Sequence, residues 1–468
     1  MKPRRLAFHH FGCKVNFAEA STLARQFTEK GYVLVDFHDQ ADIYVISSCV
    51  VTAAAEKKCR AAIRQVHKLN PEARIAVIGC FPELKAGEVA GMEGVDVVLG
   101  HQGKFRLLEE IEAQGSRVEG QGSGGRGSEG RGSKVEGRRS KEEENGKLEE
   151  DPASRIQYPV SGIRHPASGI NFIPSYSLGD RTRSFLKIQD GCDYHCAYCA
   201  IPLARGKSRS NTIVRILDEA SEIVATGVKE IVLTGVNIGD FGKHNGETFF
   251  QLITALEKEI SIPRIRISSV EPDLLHDGII DLVASSKKFL PHFHIPLQSG
   301  SDLILQVMKR KYNRALYASR VVKIRALMPD ACIAADVIVG FPGETDEAFQ
   351  ETVSYLEDLP ISYLHVFSYS RRDNTLAAKA TEIIPTSEKK RRSDFLHQLS
   401  DRKKRAFYLS NQGKESVVLF ESDHKEGMMH GFTENYIKVK TPFDAALVNE
   451  IRPVRLERLD EDMCYIVR

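Results

Sequence analysis

Residues 184–199 read SFLKIQDGCDYHCAYC, a β-rich run that ends in a loop carrying Cys192, Cys196 and Cys199. Their C-x3-C-x2-C spacing lets three thiolates hold one compact metal centre. A closed structural zinc site takes four protein ligands, and His195 is the candidate fourth for a Cys3His site. His195 adjoins Cys196, however, and chain neighbours rarely bind one ion together. A [4Fe-4S] cluster on three cysteines leaves one iron open to a substrate or cofactor, which gives the spacing a catalytic purpose.

Downstream of the loop, the strand candidates EIVLTG, RIRISS, HFHIPL, CIAADVIVG and YLHVFSY alternate with helical patterns such as 213–226, 313–327 and 346–357. Together with SFLKIQ these make six βα units, which fit an incomplete (β/α) barrel better than a flat sheet. Active sites of such barrels lie at the C-terminal ends of the strands, so the cysteine loop falls at the catalytic mouth.

Upstream, LAFHHFG, IYVISS, RIAVIG and VDVVLG are each followed by a helical pattern, near 18–30, 52–69, 83–90 and 103–113. This predicts a small doubly wound α/β domain on a mainly parallel sheet. Cys13, Cys49 and Cys80 each fall just after one of the first three strands. Parallel strands end on one edge, so these three thiols are expected to converge where open α/β folds bind ligands. The alternative is three separate buried thiols. Cys59 lies within a helix, and Cys332 and Cys464 read as core thiols.

Gly, Ser, Arg and Glu dominate the stretch between the two regions (EGQGSGGRGSEGRGSKVEGRRS), which reads as a disordered linker. The tail shows short β runs (ESVVLFES, YIKVKTPF, RPVRLERL, MCYIVR) that suggest a small antiparallel barrel. The domains are therefore expected at 1–113, 177–407 and 408–468, with the linker at 114–176.

The 468 residues carry a net charge of +2, so no global charge argues for or against a nucleic-acid partner. A basic segment, KKRRSDFLHQLSDRKKR at 389–405, reads as a helix with two clusters about three turns apart. Residues 411–468 hold 8 Lys and Arg against 11 Asp and Glu, so the tail shows no obvious basic face. The start, MKPRRLAFHHFG, lacks the apolar core of a signal peptide, and no run approaches the ~20 apolar residues of a membrane helix. A reducing cytoplasm is expected, where nine cysteines are better read as ligands, catalytic groups or buried thiols than as disulfides.

The loop, with Tyr198 before its last cysteine, resembles the radical SAM signature, and the chain as a whole resembles the methylthiotransferases within that superfamily. The motifs that carry the resemblance are GCKVNFAE, GCDYHCAYCAIPLARGKSRS, GVKEIVLTGVNIGDFG, RIRISSVEPD, HFHIPLQSGSD followed by MKRKY, DVIVGFPGET and, in the tail, GFTENYIKV. The fold implied is an N-terminal Rossmann-like parallel-sheet domain, a central incomplete radical SAM barrel and a C-terminal TRAM barrel that binds RNA. GCKVN, IPLARGKSRS and HFHIPLQSGSD look most like the tRNA enzymes acting on N6-threonylcarbamoyladenosine, just 3′ of the anticodon. Enzymes acting on isopentenyladenosine, or on a ribosomal-protein aspartate, are the alternatives.

The resemblance implies two [4Fe-4S] clusters. The one on Cys192, Cys196 and Cys199 would bind S-adenosylmethionine (SAM) and cleave it to a 5′-deoxyadenosyl radical, because an aromatic C–H bond offers no easy polar route. The one on Cys13, Cys49 and Cys80 would carry the sulfur inserted at C2 of the adenine, and a further SAM would supply the methyl group. The matching stretches suggest Gly235, Asn237, Ser269, Glu271, Gln298 and Asp336 as SAM contacts, with Gly340 and Gly343 shaping a turn. Each proposed contact has an equal claim to be a turn residue, a cap or a barrel hydrogen bond. Expected partners are a tRNA anticodon stem-loop and an electron donor such as flavodoxin or ferredoxin, with no membrane and a monomeric chain. Phe432 and Tyr436 are candidate base-stacking groups, and Lys389–Arg392 and Arg402–Arg405 candidate phosphate contacts. The sequence departs from the pattern at Ser47 and Ser48, and in FPEL after Cys80. Two rivals are a non-catalytic RNA-binding protein with structural metal sites and a radical enzyme acting on a protein side chain.

Overall fold

The N-terminal strand candidates are apolar on both faces, as a parallel sheet covered by helices requires. The structure, a computed structural model, describes residues 3–50, 53–119, 172–179 and 182–467. In chain order the first elements are β1 (Arg5–His10), α1 (Lys14–Glu29), β2 (Val33–Leu34), β3 (Ile43–Ser48), α2 (Ala53–Leu69), β4 (Arg74–Gly79), α3 (Cys80–Ala90), β5 (Val95–Leu99) and α4 (Leu107–Glu119). The strands form one parallel sheet of order β2-β1-β3-β4-β5. The two-residue β2 is too short to register as a pattern. α1 starts earlier than the expected position near 18, because Cys13 is its N-cap.

α4 runs to Glu119, into the span expected as linker, and residues 120–171 of that span lie outside the described residues. At its far end Tyr176 pairs antiparallel with Leu186, and its carbonyl accepts from Arg25 at 2.8 Å and Thr22 at 3.1 Å. This strap joins α1 to the next domain.

That domain contains β6 (Arg183–Lys187), β7 (Gln189–Asp190), α5 (Ile201–Arg205), β8 (Arg209–Ser210), α6 (Ile213–Ala225), β9 (Glu230–Thr234), α7 (Phe249–Glu259), β10 (Arg264–Ile267), α8 (Asp277–Ser285) and β11 (His292–His294). It continues through α9 (Asp302–Val307), α10 (Arg314–Leu327), β12 (Cys332–Val339), α11 (Asp346–Asp358), β13 (Tyr363–Ser368) and α12 (Thr386–Ser410). All six expected barrel strands form. They pair in parallel as β6-β9-β10 and β11-β12-β13, and bridges from Ile265 to Phe289 and from Ser269 to His294 join the halves. Helix starts are set by side-chain caps: Thr212 for α6, Thr248 in a capping box for α7, Asn313 for α10 and Thr345 for α11.

Strand alternation divides the barrel. Leu186, Ile231, Leu233, Ile265, Phe293 and Val337 pack into the helical shell, while Phe185 and Val232 face the lumen and meet Phe17 and Ala18 of α1. The N-terminal domain therefore covers the lumen face of β6 and β9.

The tail folds into β14 (Glu415–Lys425), β15 (Met428–Thr433), β16 (Lys438–Pro442), β17 (Ile451–Arg455), β18 (Arg458–Leu459) and β19 (Tyr465–Ile466). Its order is β17-β14-β15-β16-β19-β18, the expected antiparallel sheet with one parallel pair, β16–β19. This domain docks under the N-terminal ends of the barrel strands. Arg264 donates to the Phe432 carbonyl at 3.1 Å, Arg266 to that of Glu434 at 3.2 Å, and Arg183 pairs with Glu421 at 2.7 Å.

Phe432 and Tyr436 belong to that docking face. They stack at 4.7 Å, Arg266 lies 4.7 Å over Tyr436, and His292 packs against it at 4.5 Å. Their expected role in base stacking is corrected: a tight turn with Tyr436 at φ 66° directs them onto the barrel floor. The basic segment is helical as expected, but much of its charge is spent internally. Arg392 is 3% exposed on Glu344 at 2.7 Å and Glu388 at 2.7 Å, Arg391 pairs with Glu388, and Lys403 donates to the carbonyls of Glu357 and Leu359.

A second set of charges joins the N-terminal domain to the barrel. Glu19 of α1 meets Lys104 at 2.5 Å, Lys187 at 2.9 Å and Arg205 at 3.1 Å. Asp190 meets Arg205 at 2.9 Å, Arg209 at 2.7 Å and His101 at 3.0 Å. Glu19, Lys104, Lys187, Asp190 and Arg205 are each at most 2% exposed. Burial pushes the Glu19 carboxyl upward, but Arg205, Lys104 and Lys187 outweigh it and hold it well below the usual range.

Removing one member strands the others, at a typical cost of about 3–5 kcal/mol. Glu19→Gln should therefore lower the denaturant midpoint sharply at pH 7. Stability from a depressed carboxyl is complete above its unfolded pKa of about 4.3 and is lost as pH falls through the lower folded value, so the deficit should shrink in acid. An equal deficit at pH 7 and about pH 3 contradicts this reading.

Candidate active site

Cys192, Cys196 and Cys199 sit on the loop between β7 and α5, at the C-terminal end of β6, as the sequence predicts. Local bonds hold the loop open. Gly191, at φ 68°, lies so close to Lys207 that a Cβ would come within 2.0 Å of its carbonyl oxygen. Cys192 N–H donates to the Gly206 carbonyl at 3.1 Å, and Ala197 is pinned between Met308 and Ala377. Burial pushes the Cys192 thiol up to about 11 against the opposing Tyr194 N–H, and Cys199 up to about 12. His195 is the exposed residue of the loop. Among the described residues, neither His195 nor the three thiols belong to a set of donors within 4.8 Å of one another.

The second triad is built from helix starts. Cys13 is the N-cap of α1, Cys49 follows β3, and Cys80 is the first residue of α3. β1, β3 and β4 are adjacent and parallel, so the three cysteines share the predicted edge. Gly12, at φ 118°, brings the first turn against the second: a Cβ there would lie 2.6 Å from the Cys49 Cβ and 3.1 Å from its Sγ. Asn16 ties them, donating to the carbonyls of Ser48 at 3.1 Å and Phe11 at 3.2 Å. Ser48, one of the departures from the family pattern, donates its hydroxyl to the Ile78 carbonyl at 2.8 Å and links β3 to β4. Cys59 is buried in the sheet's apolar core, away from this edge.

The edges face each other. Cys80 and Val50 pack against Ala200 and Ala204 of the loop that follows the first triad. Arg205 reaches from that loop to Asn16 and Glu19, and its charge acts on Cys80 and Cys13.

The proposed SAM contacts surround the mouth unevenly. Glu271 pairs with Arg310, which also donates to the Cys196 Sγ at 3.1 Å and to the Tyr198 hydroxyl at 3.3 Å. Burial pushes Glu271 up to about 7, with Arg310 opposing. Asn237 is 3% exposed, and its Oδ1 has no hydrogen-bond partner among the described residues. Gly235 has no room for a Cβ, which would lie 2.9 Å from the Gln189 carbonyl. Ser269 lies just beyond β10, and Gln298 holds φ 69°, a strained value for a side-chain-bearing residue. Asp336 is taken up by His294 at 2.7 Å rather than by the loop. Gly340 and Gly343, at φ 71° and 84°, shape the expected turn.

Sequence reasoning missed two organising residues. Arg310 lay inside the quoted MKRKY motif, but a long-range partner has no spacing signal. Gln189 accepts from the N–H groups of Val236 and Asn237, at 3.0 and 2.8 Å, and donates to the Gly191 carbonyl at 2.8 Å, which locks the cysteine loop to the β9 loop.

The donor set fits iron–sulfur clusters. Each triad offers three thiols on turns held open by glycine or side-chain bonds, and Arg310 and Arg205 provide counter-charge. The N-termini of α1 and α3 add favourable dipoles for an anionic centre.

Residues 186–356 match the Radical SAM superfamily, and residues 5–100 match the family described as Uncharacterized protein family UPF0004. A solved structure of the radical S-adenosylmethionine methyltransferase TsrM from Kitasatospora setae shares the fold, with TM-score 0.50 and 13% identity over 78% of this chain and 75% of that one. Fold and cysteine loop together define a radical SAM protein. The threonylcarbamoyladenosine tRNA methylthiotransferase MtaB of Bacillus subtilis is 35% identical over 96% of this chain and 93% of its own length. Its Aquifex aeolicus counterpart is 35% identical over 93% and 96%. A tRNA-2-methylthio-N(6)-dimethylallyladenosine synthase from Symbiobacterium thermophilum is 32% identical over 97% and 92%. The chain belongs to the radical SAM methylthiotransferase family.

Arg310 is the testable member of the mouth. Losing a charged, buried hydrogen bond costs about 1.5–3 kcal/mol. Arg310→Met should weaken SAM binding to the reconstituted protein at least about tenfold in equilibrium dialysis, with iron content unchanged. Unaltered SAM affinity would remove Arg310 from the site.

Proposed function

We propose that this protein is a tRNA methylthiotransferase that converts N6-threonylcarbamoyladenosine, next to the anticodon, to its 2-methylthio derivative. The observation that carries the reading is the pair of three-cysteine edges facing each other across the N-terminal domain and the barrel mouth. Full-length relatives named for the threonylcarbamoyl nucleoside, at 35% identity, support it over the dimethylallyl alternative.

Cys192, Cys196 and Cys199 would hold one [4Fe-4S] cluster, and Cys13, Cys49 and Cys80 the other. Bound there, the first supplies the electron that splits a carbon–sulfur bond of SAM, and the second supplies the sulfur that replaces hydrogen at C2 of the base. The chain's own residues orient these groups. Arg310 and Glu271 stand beside Cys196 with charges suited to the carboxylate and amino group of a SAM methionyl tail. Gln189 fixes the β9 loop and packs against Gly235, where no side chain fits. Ala200 and Ala204 pack on Cys80 and hold the two edges against each other. The expected setting is the cytoplasm, with an electron-transfer protein such as flavodoxin or ferredoxin as reductant. No helix among the described residues is long and apolar enough to cross a membrane.

Substitution of single cysteines separates the steps. Cys196→Ala should abolish both 5′-deoxyadenosine and methylthio-nucleoside formation. Cys49→Ala should abolish the nucleoside product alone, with iron falling from about eight to about four per chain. Product formation by Cys49→Ala, or a substrate other than threonylcarbamoyladenosine by nucleoside mass spectrometry, overturns the assignment.

A further inference from the structure

The barrel lumen has a polar lining that belongs to neither triad. His294 ends β11, Asp336 lies in β12 and His365 in β13. One donor atom from each falls within 4.8 Å of the others. Strand alternation points them inward, since Ile295, Val337 and Leu364 pack into the helical shell. His294 Nε2–H donates to Asp336 at 2.7 Å, which commits the carboxylate and leaves the imidazole oriented. His365 packs at 5.1 Å from the His294 ring and is exposed, and Phe367, two residues on, is 43% exposed. Inward-facing side chains that reach solvent on the edge strand of an incomplete barrel mark its way in.

Beside the Asp336 carboxylate, this space is reached by the charge of a cation. Lys14, at the start of α1, is half-buried here, and its charge acts on His292 and His365. Burial, Arg266 and Arg183 act against the Lys14 charge, and Glu230, the acidic partner those arginines share with Arg264, favours it. Asp336 acts on Glu271 at the SAM side, and Lys14 adjoins Cys13 at the opposite edge.

We infer that His365 and Lys14, with His294 braced by Asp336, form a carboxylate-binding subsite that receives the acidic side chain on the N6 position of the substrate nucleoside. The inference rests on the function proposed above and names the part of the site that selects the substrate. A threonylcarbamoyl group ends in a carboxylate, whereas a dimethylallyl group is apolar and leaves these polar groups unpaired. Sites built to hold a polar group discriminate strongly against analogues that lack it. Phe367 offers an exposed ring for the base itself.

The test compares binding of three synthetic anticodon stem-loops to the reconstituted holoenzyme. One carries N6-threonylcarbamoyladenosine, one its methyl ester, and one dimethylallyladenosine. RNA contacts elsewhere cancel between acid and ester, so their ratio reports the subsite alone. Wild-type protein should bind the acid at least about tenfold more tightly than the ester, and His365→Phe should lose most of that preference. Equal binding of acid and ester by wild type overturns the inference. Methylthiolation of acid and ester at equal rates does the same while leaving the proposed function intact. Methylthiolation of the dimethylallyl RNA alone overturns both.

Discussion

The buried ion network of Glu19, Lys104, Lys187, Asp190 and Arg205 is the constraint on which the rest of the structure depends. Five charged groups have left water together, and each is tolerable only because the others are present. The network draws on α1, the segment after β5, β6, β7 and α5, so it forms only when the N-terminal sheet and the barrel meet in one orientation. Arg205 shows how that orientation reaches the chemistry. It leaves the loop that follows the first cysteine triad and ends between Asn16 and Glu19, on the helix that Cys13 begins. A second bridge, from Arg372 to Glu56 of α2, ties the far side of the same domain to the segment after β13. The spacing between the two cysteine edges is therefore set by electrostatics buried away from the reacting groups.

Around this joint the barrel is divided by height. Its floor is sealed by the tail, where Arg183, Arg264 and Arg266 bind the tail's carbonyls and aromatic rings. Its mouth carries the cysteine loop, Glu271 and Arg310. α1 covers the lumen face of β6 and β9 through Phe17 and Ala18, and the remaining lumen keeps His294, Asp336 and His365 in reach of solvent. A substrate atom that must meet a radical on one side and a sulfur donor on the other needs this kind of space, closed above and below and open at one edge strand.

Much of this was legible in the sequence because it is local. Six barrel strands, four α/β repeats and the placing of Cys13, Cys49 and Cys80 at strand ends follow from period, turn residues and the rule that parallel strands end together. What escaped was either too short or too distant. β2 has two residues, and β15 reads MMHGFT, with no clean alternation. The parallel β16–β19 pair joins segments whose pairing no local pattern fixes. Phe432 and Tyr436 looked free for RNA because their burial depends on arginines far away in the chain. Arg310, Gln189 and the Glu19–Arg205 pair were invisible for the same reason: a partner brought close only by the fold leaves no mark on a side chain's own stretch of sequence.

The central claim is that the two triads hold separate clusters facing each other at a fixed short spacing. Electron paramagnetic resonance of the anaerobically reconstituted, fully reduced protein tests it most directly. Two reduced clusters should give a spectrum broadened by mutual dipolar coupling, and Cys49→Ala should collapse it to one sharp, isolated signal. A wild-type spectrum that is already the simple sum of non-interacting signals, or that contains one cluster alone, would contradict the account.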